Sequence, residues 1–152
     1  MEAMLEAISR DRVAVFDDDI QFIRLVERVL KGVNIDIEPV TTPDVEEAVR
    51  VVSCGGCRAA LIDLYMYGDA SGLQMVEELR QNPQTADLPL IVTSAAHREL
   101  GRRVGFLLEH HCSVLLKPFS IDDLLSRIGV SSTPGAGAIS STTAAARPFG
   151  AG

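Results

Sequence analysis

Val13-Ala14-Val15-Phe16-Asp17-Asp18-Asp19 sets a short apolar run directly against three carboxylates. Outward from this stretch, short apolar runs alternate with amphipathic ones from about Arg12 to Val130. That alternation specifies βα units around a parallel sheet, not a meander of hairpins. The runs are Val13 to Phe16, Ile35 to Val40, Ala59 to Leu64, Leu88 to Thr93 and Val114 to Leu116, which makes five βα pairs. After the first run, Ile23, Val26 and Leu30 form one helical stripe that Gly32 is placed to end. Thr42 is expected to cap the second helix, with Pro43 in the first turn, where a missing N–H costs nothing. Asp44, Glu46 and Glu47 suit that helix's positive end, and Gly55-Gly56 closes it. Leu73, Val76 and Leu79 mark a third helix that Asn82-Pro83 breaks. A fourth is expected over His97 to Leu108, through Leu100, Val104, Leu107 and Leu108. It is expected to be the loosest, because Gly101 and Gly105 inside it each cost about 1 kcal/mol relative to Ala. Ser120-Ile121-Asp122-Asp123 resembles a capping box opening a last helix that ends at Gly129.

The pattern divides the chain into an extension at residues 1–11, one domain at 12–130 and a stretch at 131–152. That last stretch is rich in Gly, Ala, Ser and Thr without hydrophobic period, and reads as a flexible tail or linker. A hydrophobic content of 47% over 152 residues suffices for one ordinary core. Asp and Glu number 21 against 14 Lys and Arg, and a net charge of −7 argues against a grip on nucleic acid or an anionic membrane. Met1 to Arg10 lacks a basic region followed by an apolar run, and no apolar run is long enough to span a bilayer. Three cysteines without an export signal point to a reducing, cytoplasmic setting.

In an open parallel α/β sheet, ligands gather outside the carboxyl ends of the strands, so residues following each apolar run should converge. The first strand ends in Asp17, Asp18 and Asp19, the third in Asp63, the fourth in Thr93 and Ser94, and the fifth in Lys117-Pro118. Three or more carboxylates at one rim repel each other, and a hard divalent cation such as Mg²⁺ relieves that repulsion. One carboxylate can then attack phosphorus while cation and lysine neutralise the phosphoryl oxygens, giving an aspartyl phosphate.

Taken together these residues resemble the response-regulator receiver domains of bacterial two-component systems, over about Arg12 to Val130. Val13 to Asp19 is similar to that family's first strand and acidic pair, and Leu61-Ile62-Asp63-Leu64 to its phosphoacceptor strand. Pro89-Leu90-Ile91-Val92-Thr93-Ser94-Ala95 resembles its fourth strand, whose switch hydroxyl falls on Ser94 with Pro89 and Ala95 as anchors. Leu116-Lys117-Pro118-Phe119 is similar to its lysine motif, where the Lys117–Pro118 bond would be cis. The resemblance implies a flavodoxin-like (βα)5 fold with strand order 2-1-3-4-5. It implies that Asp63 takes a phosphoryl group from a sensor histidine kinase or phosphotransfer protein, as a signalling domain and not a turnover enzyme. Asp18, Asp63 and the backbone carbonyl of Tyr65 would hold Mg²⁺, with Asp17 acting through water. Lys117 would pair with the phosphoryl group and Ser94 would swing toward it. That movement would bias the face of the fourth helix, fifth strand and fifth helix toward an unidentified downstream protein, the domain being a monomer or a phosphorylation-dependent dimer.

Three departures from the family stand out. Met66-Tyr67 follows the phosphoacceptor where Met-Pro is common, and Gly72 falls one residue late, so the loop Leu64 to Gly72 is expected to be remodelled. Val114 occupies the gating position where Tyr or Phe is common. No second folded domain is visible, so either output would pass through protein contacts or the sequence is a fragment of a longer protein.

Two other readings use the same residues. In a haloacid-dehalogenase-like phosphatase, Asp17-Asp18-Asp19 would supply nucleophile and acid and Asp122-Asp123 metal ligands, but Asp63 would have no role. A non-phosphorylated pseudo-receiver would serve as an interaction module alone. Elsewhere, Cys54-Gly55-Gly56-Cys57 has the spacing of a zinc or redox pair that His110, His111 and Cys112 could complete. An intervening strand should hold the two segments about 10 Å apart, which favours two loop cysteines and a surface His pair. Asp19 could be a cap for the first helix and no more.

Overall fold

In a computed structural model the described residues are 11–42, 44–66 and 71–130. The expectations for residues 1–10, for Pro43 and for 131–152 lie outside them, as does much of the loop before Gly72. Five strands of five residues each form one parallel sheet: β1 Arg12–Phe16, β2 Asp36–Val40, β3 Ala59–Asp63, β4 Leu90–Ser94 and β5 Cys112–Leu116. Their order is β2-β1-β3-β4-β5, the expected one. The helices are α1 Ile20–Lys31, α2 Val45–Gly55, α3 Ser71–Gln81, α4 His97–Arg102, α5 Val104–Glu109 and α6 Ile121–Ile128.

Because strand side chains alternate between faces, the apolar runs build two cores at once. Ala14, Phe16, Ala60, Ile62, Leu90 and Val92 pack on one face against Ala48 and Val52 of α2, Met75, Val76 and Leu79 of α3, Leu100 of α4 and Leu107 of α5. Val13, Val15, Ala59, Leu61, Ile91 and Leu115 pack on the other against Ile23, Val26 and Leu30 of α1 and Leu124, Leu125 and Ile128 of α6. Each large aliphatic side chain removed from water here contributes about 2 kcal/mol, which is why the helical stripes, more than helix propensity, hold the helices.

Two local expectations are corrected, and a third is refined. The second helix is capped by Asp44, whose carboxylate accepts the Glu46 and Glu47 amides, while Thr42 Oγ1 accepts the Asp44 amide and donates to Glu47. A carboxylate at that end also meets the helix dipole, which a hydroxyl does not. α1 ends at Gly32 as expected, but that C-cap is right-handed at φ −63°, and the left-handed residue is Asn34 at φ 64°. Asn tolerates that conformation, so the chain turns two residues later. The expected fourth helix is two short ones, parted at Arg103 with φ −103° and ψ 2°, between Gly101 and Gly105. Strand bounds also shift by one or two residues, β5 beginning at Cys112. Ser120 caps α6 through the Asp123 amide, and Gly129 ends it at φ 90°.

Candidate functional site

Strand order reverses between β1 and β3, so the crevice at their carboxyl ends is where this topology collects ligands. Phe16 pairs with Ile62 and Asp63 with Thr93, which puts Asp17, one residue past Phe16, level with Asp63. Carboxylate oxygens of Asp17, Asp18 and Asp63 lie within 4.8 Å of one another. Asp17 is buried, Asp63 partly buried and Asp18 exposed. A set of three oxygen donors of this kind suits a hard divalent cation.

Lys117 follows β5, two strands from Asp63, and its long stem carries Nζ back across β4. Nζ donates to Asp17 Oδ2 at 2.8 Å and to Asp63 Oδ2 at 3.4 Å, with the lysine side chain 19% exposed. The other oxygens are held by backbone: Asp19 N–H donates to Asp17 Oδ1 at 2.9 Å and Tyr65 N–H to Asp63 Oδ1 at 3.1 Å. Burial pushes the Asp63 carboxyl from its ordinary 3.8 up to about 6; Lys117 opposes the rise, Asp17 adds to it, and the Tyr65 amide opposes it. The Lys117–Pro118 bond is cis.

Ser94 and Thr93 are both buried at the end of β4. Ser94 Oγ accepts the Ala96 amide at 2.9 Å, whereas Thr93 Oγ1 has no hydrogen-bond partner. Val114 is half-buried against the first core. Asp19 is the N-cap of α1, accepting the Gln21 and Phe22 amides.

Several contacts around the site carry no signal in the sequence. Lys117 Nζ stands 4.0 Å from the centroid of the Phe22 ring, and Phe22 meets Phe119 edge-on at 5.9 Å. Tyr65 hydroxyl donates to Glu99 Oε2 at 2.7 Å, tying the exit of β3 to α4. That bond holds the tyrosine proton on and the Glu99 carboxyl below its usual range. His97 Nε2 lies 3.1 Å from the Lys117 carbonyl. Helical spacing from Ile23 and Val26 could have marked Phe22 as flanking the apolar stripe, but not as facing a lysine.

The remaining candidates do not join the cluster. Asp122 and Asp123 lie in the first turn of α6, where the Asp123 amide donates to Ser120. Cys54 is exposed, Cys57 is half-buried with its thiol pushed up by burial, and burial pushes the Cys112 thiol up to about 11. Thiols held protonated are poor metal ligands and nucleophiles. Among the described residues, the Asp17, Asp18, Asp63 group is the one cluster with metal-ligand spacing. No helix among them is long and apolar enough to cross a membrane.

Residues 13–129 match the response regulator receiver domain family. The phosphate regulon transcriptional regulatory protein PhoB of Rhizobium meliloti is 27% identical over 121 residues, 77% of this chain and 50% of that protein. The chain thus spans about half the length of that relative. The receiver domain of Francisella response regulator 1452 is 27% identical with a TM-score of 0.62, covering 78% of this chain and 93% of that one. The receiver domain of a Pseudomonas aeruginosa sensor histidine kinase, solved with magnesium coordinated in its active-site cleft, has a TM-score of 0.65 at 20% identity over 78% of this chain and 94% of that one. At that identity the likeness speaks for the fold. With a matching strand order, an acidic crevice at the switch point and a family match over most of its length, this chain belongs to the response regulator receiver domains of two-component systems.

Proposed function

We propose that this domain accepts a phosphoryl group onto Asp63 from a sensor histidine kinase or a phosphotransfer protein, in the cytoplasm, and signals through protein contacts without turning over an external substrate. The observation that carries the reading is Lys117 Nζ bridging Asp17 and Asp63 at the carboxyl edge. An Asp63 oxygen attacks phosphorus, the P–N bond of the donor phosphohistidine breaks, and its electron pair leaves with the imidazole. With its carboxyl at about 6, Asp63 is mostly ionised at neutral pH and keeps an accessible nucleophile. Lys117 then follows the charge onto the phosphoryl oxygens, and the Ser94 hydroxyl leaves the Ala96 amide to donate to one of them. Asp18, Asp63 and the Tyr65 carbonyl would hold Mg²⁺, with Asp17 acting through water. When bound, that ion neutralises charge developing on the phosphoryl oxygens. The adduct biases α4, α5, β5 and α6 toward a downstream protein, as a monomer or a phosphorylation-dependent dimer. Val114 in the gating position means that this bias does not run through an aromatic ring there.

The test is incubation with Mg²⁺ and acetyl phosphate, with intact-mass measurement of the wild type beside Asp63→Asn. One phosphoryl adduct on the wild type alone supports the reading. No adduct and no Mg²⁺ binding by a folded protein would shift it to a pseudo-receiver. Hydrolysis of a small phosphate ester that survives Asp63→Asn would shift it to a phosphatase.

A further inference from the structure

Lys117 has a third neighbour besides its two carboxylates: the face of Phe22, 4.0 Å from Nζ to ring centroid. From this we infer that Phe22 is a positioning residue for phosphoryl acceptance, holding the Lys117 ammonium over the crevice while its carboxylate partners change. The inference rests on the phosphoacceptor reading of Asp63.

Four contacts close a circuit. Asp17 Oδ2 accepts from Lys117 Nζ at 2.8 Å, and Asp17 Oδ1 accepts the Asp19 amide at 2.9 Å. Asp19 Oδ1 accepts the Phe22 amide at 3.3 Å, which fixes the first turn of α1. The Phe22 ring then meets Nζ, braced edge-on by Phe119, two residues beyond the lysine. Pleat parity puts this circuit on the α1 and α6 face, because Asp17 and Asp63 continue the rows of Val15 and Leu61 that belong to the second core.

The physical need for the ring comes from competition. In the present arrangement the ammonium sits on Asp17 and Asp63, two of the carboxylates that would serve a divalent cation. A cation taking up those oxygens weakens both ion pairs, and a long flexible lysine is then free to swing to water. An aromatic face is not a competitor for a hard, hydrated cation, yet it attracts an ammonium through its quadrupole. Phe22 is therefore a seat that Lys117 keeps when the carboxylates are engaged, leaving Nζ beside the position of the incoming phosphoryl oxygens.

The test compares Phe22→Leu, which keeps apolar bulk without a π face, with Phe22→Tyr, which keeps the face. Phe22→Met stands in if the leucine variant does not fold, as judged by its urea transition. The rate of adduct formation with acetyl phosphate and Mg²⁺ is expected to fall about three- to tenfold in the leucine or methionine variant and to stay within about twofold in the tyrosine variant. The Lys117 ε-methylene protons are expected upfield by ring current in the wild type and the tyrosine variant, and shifted downfield without the ring. A leucine variant as fast as the wild type overturns the assignment, as does a tyrosine variant as slow as leucine. A rate loss with unmoved ε-methylene protons overturns it too. Absence of any wild-type adduct overturns the phosphoacceptor reading and this assignment with it, whereas a wild-type adduct with ring-independent kinetics overturns the assignment alone.

Discussion

Thr93 and Ser94 sit side by side on β4 and differ in what their hydroxyls meet. Thr93 Oγ1 is buried with no hydrogen-bond partner, so it carries a desolvation cost without return. Thr93→Val, nearly the same shape, is expected to raise stability by about 1 kcal/mol in urea denaturation. Ser94→Ala, which removes an acceptor from the Ala96 amide, is expected to lower it. Asp63 gives a pH prediction. Its carboxyl is raised by burial from 3.8 to about 6, so the folded state binds a proton that the unfolded chain has lost. Stability tied to this group is fully present below pH 3.8 and is lost as pH rises to about 6. Asp63→Asn in metal-free buffer is therefore expected to match the wild type near pH 3.5 and to exceed it at pH 7.5. The gap, discounted for solvent screening, is about 1 kcal/mol. Urea midpoints at the two pH values check the sign, and a gap that narrows as pH rises would refute it.

At the scale of elements, two glycines are expected to respond oppositely to one added methyl. A Cβ on Gly72 would collide with the Asp63 carbonyl oxygen and come within 2.8 Å of Leu64 Cα, both backbone. Neither can yield without moving α3 off the end of β3, so Gly72→Ala is expected to cost about 2–4 kcal/mol and, on the proposed function, to slow adduct formation. A Cβ on Gly105 would meet nothing within 4 Å. Gly105→Ala is expected to stabilise α5 by about 0.5–1 kcal/mol through helix propensity alone. Thermal melts of both variants decide this, and a stabilising Gly72→Ala would mean that α3 is not seated where the geometry puts it. Arg80 shows how the opposite rim is held. Its guanidinium donates to the carbonyls of Thr85, Ala86, Leu88, His110 and His111, joining the loop before β4 to the turn before β5.

For the molecule as a whole, the acidic rim was legible because parallel strands deliver their ends to one edge whatever the side-chain detail. Asp17, Asp18, Asp63 and Lys117 each follow an apolar run, and topology does the rest. Contacts set by tertiary reach were not legible: Lys117 meets Asp17 across 100 positions, and Tyr65 meets Glu99 across 34. Nor was the choice between near-equivalent local solutions, as when Asp44 and not Thr42 caps α2. The same convergence has a thermodynamic consequence for the folded domain. It brings Asp63 to Asp17 and Asp18, from which the unfolded chain keeps it apart, so a divalent cation that needs all three binds the native state and stabilises it by linkage. At Mg²⁺ ten times its Kd the gain is about 1.4 kcal/mol, which raises Tm by about 5 °C for a domain of this size. Protons compete for the same oxygens, and Asp63 with its carboxyl at about 6 must be ionised to serve. The rise in Tm at fixed Mg²⁺ is therefore expected to be larger at pH 8 than at pH 5 and to be mostly lost in Asp63→Asn. A rise of equal size at both pH values, or one retained in that variant, would mean that the cation acts elsewhere on a chain of net charge −7, by screening and not by occupying the crevice.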